Sequence, residues 1–120
     1  MDTLLACAIV AVCIGPQLAA VDADRGKALW EAKCIGCHAL DANRVGPLHR
    51  GVFGRKAGAA PGFTYSAAVR NAGFVWDEAR LEKWLAGPAQ FLPGSRMGFS
   101  VADPADRADI IAYLKSLSGG

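Results

Sequence analysis

Two cysteines and a histidine fall within one five-residue stretch, Cys34-Ile35-Gly36-Cys37-His38. Thiols at this spacing lie about one helical turn apart, so both can add across the two vinyl groups of a single haem macrocycle. The histidine that follows at once then reaches the iron from the same side through its imidazole nitrogen. The pattern predicts haem held covalently by Cys34 and Cys37, with His38 as an axial ligand of the iron. A zinc site fits poorly, because it needs four ligands and His49 is the only usual one left to add. A thioredoxin-like dithiol would want alternating strands and helices, a pattern absent from this chain.

A six-coordinate haem needs a second axial ligand, and the sequence offers Met1, Met97 and His49. Met1 goes if the N-terminus is removed, which leaves Met97 as the thioether. It sits in Pro93-Gly94-Ser95-Arg96-Met97, a stretch too rigid and glycine-rich for the apolar helix face where a gap-filling methionine belongs. Met97 is the favoured ligand. His49, eleven residues after His38, is its rival and would give bis-histidine ligation.

The other cysteines, Cys7 and Cys13, lie in an uncharged apolar block from Leu4 to Gly15, followed by a second apolar patch from Leu18 to Val21. The block is short for a bilayer span. It has the length of a secretory signal's apolar region, and Ala19 and Ala20 supply a cleavage site, although Asp2 stands where positive charge is usual. The expected organisation is a signal peptide over residues 1–20, with an uncleaved membrane anchor as the alternative, and one domain over residues 21–120. A net charge of +2, spread along the chain, gives no reason to expect nucleic-acid binding.

Helices must carry the motif. Asp22 or Asp24 caps a first helix with Gly26, Trp30 and Cys34 recurring on one face. Ser66 to Asn71 forms a short helix ending at Gly73. Asp77 caps another, with Leu81, Trp84 and Leu85 on its apolar side and Gly87-Pro88 as its stop. Asp103 and Pro104 open the last helix, whose stripe is Ile110, Ile111, Leu114 and Leu117 and which ends at Gly119-Gly120. Between them, the Gly- and Pro-rich segments Val45–Gly62 and Gly87–Gly98 read as long loops. The result is an all-α fold whose loops need a large apolar group to wrap around.

Residues 24–118 resemble the class I c-type cytochromes, the family of mitochondrial cytochrome c and its soluble bacterial counterparts. The likeness is carried by the haem motif together with Arg44-Val45-Gly46-Pro47, Gly51-Val52-Phe53-Gly54-Arg55, Pro61-Gly62-Phe63-Thr64-Tyr65-Ser66, Pro93-Gly94-Ser95-Arg96-Met97 and Ile111-Ala112-Tyr113-Leu114, all in the family's order. The resemblance implies a small cytochrome c fold of helices and long loops around one haem. By it, the Pro47 carbonyl would orient His38, and Arg55, Tyr65 and Trp76 would hold a buried propionate. Ser66, Asn71 and Ser95 would add polar contacts around the haem. The first and last helices would cross at Gly26, Trp30, Ile110 and Tyr113, with Trp30 and Tyr113 serving as core packing.

Two departures from the family stand out. Trp84 replaces the usual tyrosine beside the methionine sulfur. Ala89, Gln90 and Ala102-Asp103-Pro104 replace lysines that ring the exposed haem edge in the mitochondrial proteins. The resemblance implies a non-enzymatic, monomeric electron carrier of the bacterial periplasm. Its expected partners are a cytochrome bc complex and a terminal oxidase or photosynthetic reaction centre. Membrane contact is expected only if the N-terminal segment stays uncut. The alternatives are an electron-accepting subunit of a periplasmic dehydrogenase, or a peroxidase.

Overall fold

The structure is a computed structural model that describes residues 6–12 and 20–119. Most of the expected signal segment, including Cys13 and Ala19, lies outside the described residues. Among the described residues, no helix is long and apolar enough to cross a membrane.

Helix α1 spans Ala23–Lys33, and the Asp22 side chain caps it by accepting from the backbone N–H groups of Asp24 and Arg25. The last helix, α5 (Pro104–Ser116), begins in the same manner, with Asp103 accepting from Ala105 N–H and Pro104 in the first turn. Each carries an acid in its first turn and a lysine in its last, as the helix dipole favours. The two cross in close contact because Gly26 has no side chain. A methyl there would lie 1.8 Å from the Asp109 carbonyl oxygen and 3.0 Å from Tyr113 Cβ. Trp30 packs against Tyr113 beside this crossing, ring centroids 6.0 Å apart, and both are buried. An ionic clasp closes the end of the crossing: Arg25 meets Asp106 at 2.6 Å and Asp109 at 2.8 Å, and Asp109 also accepts from Asp22 N–H.

Between these helices lie three shorter ones. Helix α2 is Ala67–Arg70, capped by Ser66, and α3 is Glu78–Ala86, capped by Asp77. Helix α4, Pro88–Phe91, is an addition within a segment that the sequence reads as loop. Its reason is local: Gly87 ends α3 in an extended conformation, and Pro88, buried, supplies a first-turn φ already suited to a helix. Helix α5 stops at Ser116, before the two glycines. Among the described residues there is no strand, only a single bridge between Lys56 and Val75. The fold is all-α. Leu81, Leu85, Ile110, Ile111 and Leu114 turn inward from α3 and α5 and form much of its core.

Candidate functional site

The cysteine–histidine motif continues α1 as one further turn. Cys34 N–H bonds the Trp30 carbonyl at 2.8 Å, and His38 N–H bonds the Cys34 carbonyl at 2.9 Å. This turn buries Cys34 and His38 and leaves Cys37 exposed. Burial pushes the Cys34 thiol up to about 11, against the opposing charge of Lys33. The thiol is therefore protonated in the neutral folded chain.

Three contacts fix the His38 ring. Its Nδ1 lies 2.8 Å from the Pro47 carbonyl oxygen. Gly46 presses over the ring at Cε1 so closely that a methyl there would sit 2.1 Å from Cε1 and 2.6 and 2.7 Å from the two ring nitrogens. His49 stacks on it, with centroids 3.8 Å apart and planes inclined by 21°. The loop that brings these groups together is tied by backbone bonds: Gly46 N–H to the Cys37 carbonyl, and His49 N–H to the Ala39 carbonyl. Asn43 braces it by accepting from Leu48 N–H and donating to the Pro61 carbonyl. Burial lowers the pKa of His38, partly offset by the Pro47 contact. Burial lowers that of His49 further, with the charges of His38 and Arg55 acting in the same direction.

His38, Cys34 and Cys37 open onto a cavity of about 460 Å³, well within the ~300–1,000 Å³ of small-molecule sites. Val52, Val69, Leu85 and Ile110 contribute apolar wall. Met97, half-buried, lines it from the Gly- and Pro-rich segment after α4. Arg55, Tyr65, Ser66 and Trp76 also line it. Arg55 and Trp76 are held side by side by reciprocal backbone bonds, Trp76 N–H to the Arg55 carbonyl and Gly54 N–H to the Trp76 carbonyl.

The Arg55 Nη2 donates to the Leu48 carbonyl at 3.0 Å, but its Nε is buried with no hydrogen-bond partner. Burial lowers the guanidinium's pKa, with Tyr65 opposing. No carboxylate lies among the residues lining the cavity. A half-buried cation with a buried, unpaired Nε–H, facing an apolar chamber whose lining carries no acid, calls for an anionic group on an otherwise apolar ligand. Haem, with its propionates, fits these residues.

Two of the expected site residues lie elsewhere. Asn71 is exposed and outside the cavity wall, where its backbone closes α2. Ser95 is also outside the wall, with its hydroxyl donating to the Pro88 carbonyl at 3.4 Å. Ser66 lines the cavity while capping α2, and the Tyr65 hydroxyl accepts from Ala60 N–H. Trp84 lines the cavity with its ring edge-on to Trp76, centroids 5.3 Å apart. Asn43 and the stacked position of His49 were not read from the sequence. Their only signal there is a polar residue within the motif-bearing loops.

A family profile described as cytochrome c matches residues 23–118. The cytochrome c of Euglena viridis is 43% identical over 99 residues, covering 80% of this chain and 97% of the relative. The cytochrome c2 iso-2 of Magnetospirillum fulvum is 48% identical over 87 residues, covering 70% and 91%. Among solved structures, cytochrome cH from Methylobacterium extorquens superposes with a TM-score of 0.75 at 42% identity, covering 79% of this chain and 98% of that one. A cysteine–histidine turn facing an apolar chamber, in a chain alike over nearly the whole length of these relatives, leaves one assignment: the chain belongs to the cytochrome c family as a class I c-type cytochrome, an electron carrier built around haem c.

Proposed function

We propose that this protein carries single electrons in a periplasmic respiratory or photosynthetic chain, holding one haem through thioethers at Cys34 and Cys37, with His38 and Met97 as axial ligands. The observation that carries the reading is the convergence of His38, Cys34, Cys37 and Met97 on a single apolar chamber that also contains the unpaired Arg55 N–H. Bound there, the haem iron supplies a one-electron couple.

The chain's own residues do the rest. Pro47 holds His38 at Nδ1, and buried Val52, Val69, Leu85 and Ile110 give the chamber an apolar wall. A soft sulfur donor at Met97 and the low-dielectric surroundings favour the less charged, ferrous state and so raise the potential. Arg55, Tyr65 and Trp76 would hold a propionate. Support for Met97 over His49 comes from the stacking: imidazoles 3.8 Å apart face to face share one wall and cannot take opposite sides of one metal. Lys33, Val45, Arg96 and Phe99 also line the chamber; Val45 is 76% exposed and Phe99 46%. This mixed apolar and basic rim suits brief docking of redox partners such as a cytochrome bc complex and a terminal oxidase or reaction centre. We assign residues 1–20 as a signal peptide removed on export to the periplasm, where the carrier acts as a monomer.

Replacing Met97 tests the ligation. Met97→Ala is expected to abolish the ferric iron–thioether absorption band, lower the potential and raise peroxidase activity, while His49→Leu keeps the band. Retention of the band in Met97→Ala would refute the His/Met assignment. In the same preparations, haem that stays with the chain through denaturing electrophoresis confirms covalent attachment. Its persistence in a Cys34→Ala, Cys37→Ala double variant would refute attachment at these cysteines.

A further inference from the structure

The chain has two histidines, and the proposed function uses only His38. His49 is held in place with as much definition as a ligand. Its Nδ1 lies 2.8 Å from the indole Nε1 of Trp30, itself a buried core residue. An indole nitrogen only donates, so Nδ1 is the acceptor and a neutral His49 carries its proton on Nε2. The two rings lie 6.0 Å apart and tilted by 56°, a hydrogen-bonded contact rather than a stack. The other neighbour of His49 is the face of His38, at 3.8 Å. Backbone bonds hold both ends of this arrangement: His49 N–H to the Ala39 carbonyl, and Cys34 N–H to the Trp30 carbonyl.

We propose that His49 is a positioning residue for the iron ligand, with the Trp30 indole anchoring its ring against His38 so that the plane of the His38 imidazole is fixed about its bond to the haem. The Pro47 carbonyl holds Nδ1 and the Gly46 backbone abuts Cε1, so both contacts lie at one side of the ring and leave its far side free to rock. A flat partner covering its face removes that freedom. An aliphatic side chain at position 49 would fill the same volume but present no plane and accept no hydrogen bond from Trp30. The buried indole N–H would then lose its partner.

The inference assumes the haem and His38 ligation proposed above, and its test separates the two. Ferric holoprotein is prepared for the parent, His49→Leu, His49→Phe, Trp30→Phe and the His49→Leu, Trp30→Phe double variant. Paramagnetic proton NMR of the haem methyl groups is the readout, because the imidazole plane directs how unpaired spin spreads over the macrocycle. His49→Leu is expected to rearrange the pattern of methyl shifts. Trp30→Phe, which keeps the apolar packing but removes the donor, should move the pattern in the same sense. The double variant should match His49→Leu alone, the non-additivity expected of residues acting as one unit. His49→Phe, which keeps a flat ring without the acceptor, should fall between the parent and His49→Leu.

An unaltered methyl pattern in both His49→Leu and Trp30→Phe, with haem bound and the thioether band intact, overturns the positioning role alone. So does a change in melting temperature with no change in the pattern, which is all that simple packing would produce. Lack of covalent haem in the parent would instead overturn the haem reading itself. If His49→Leu does not fold, the comparison of parent, Trp30→Phe and His49→Phe decides the question by the same criteria.

Discussion

Gly46 offers a sharp test of how tightly the His38 ring is held. In Gly46→Ala, the added methyl would lie 2.1 Å from Cε1, 2.6 Å from Nδ1 and 2.7 Å from Nε2 of His38. Carbon atoms settle at about 3.5–4.0 Å, so the ring or the loop must give way by roughly 1.5 Å. The ring has little room, since His49 covers a face and the Pro47 carbonyl holds Nδ1. The loop is tied as well, by Gly46 N–H to the Cys37 carbonyl and Arg44 N–H to the Gly46 carbonyl. Overpacking costs about 1–3 kcal/mol, and loss of the orienting hydrogen bond adds about 0.5–1.5 kcal/mol, together about 2–4 kcal/mol. For a domain near 100 residues that lowers the melting temperature by roughly 10–25 °C.

Gly36 supplies the control within the same motif. A methyl there meets nothing within 4 Å, and neither glycine is among those with positive φ. Gly36→Ala should therefore stay within about 1 kcal/mol of the parent. Thermal unfolding of the holoproteins, followed by far-ultraviolet circular dichroism and by the Soret band, measures both. Equal melting temperatures for Gly46→Ala and Gly36→Ala would refute the claim that His38 is sterically clamped.

Two further outcomes are expected. Asp109→Asn removes the anionic partner of Arg25 and should cost about 1–2 kcal/mol at neutral pH. The Asp22 N–H and then the Arg25 guanidinium hold the Asp109 pKa below its ordinary value, so its contribution is present above about pH 4 and is lost as pH falls through the lowered value. Denaturant unfolding across pH should show the gap between parent and variant closing in acid; a constant gap would refute it. At the docking rim, Lys33→Glu and Arg96→Glu should each slow electron transfer to the natural acceptor at ~0.01 M salt and matter little at ~0.1 M, where the Debye length has shortened from about 30 to 10 Å. Stopped-flow rates over that range check it, and indifference to both reversals at low salt would refute steering by these cations.

Much of this protein could be read along the chain because its chemistry is local. The thiols and imidazole of Cys34, Cys37 and His38 must share one turn, so their spacing declares them. The caps Asp22, Ser66, Asp77 and Asp103 act on N–H groups two or three residues ahead. Helical spacing put Gly26 on the Trp30 face, and the family resemblance placed the helix crossing there. Helix α4 was not legible, because a four-residue helix started by Pro88 looks the same as a Pro-rich loop. Neither was the place of Asn71 and Ser95 outside the cavity wall, since a residue close in sequence to a site can face the other way.

Tertiary structure alone decided where the His49 ring lies. In sequence this residue is a histidine eleven residues from another, the rival of Met97 for the far side of the iron. The answer depends on where the Gly46–His49 loop folds back, and that is set by bonds from Gly46 to Cys37 and from His49 to Ala39, between residues nine and ten apart. Those bonds lay His49 on His38 instead of across from it, and the Trp30 indole from α1 keeps it there. Residue type and spacing determine which groups can do chemistry. The side of a cavity each group occupies follows from how the loop closes, which no local pattern encodes.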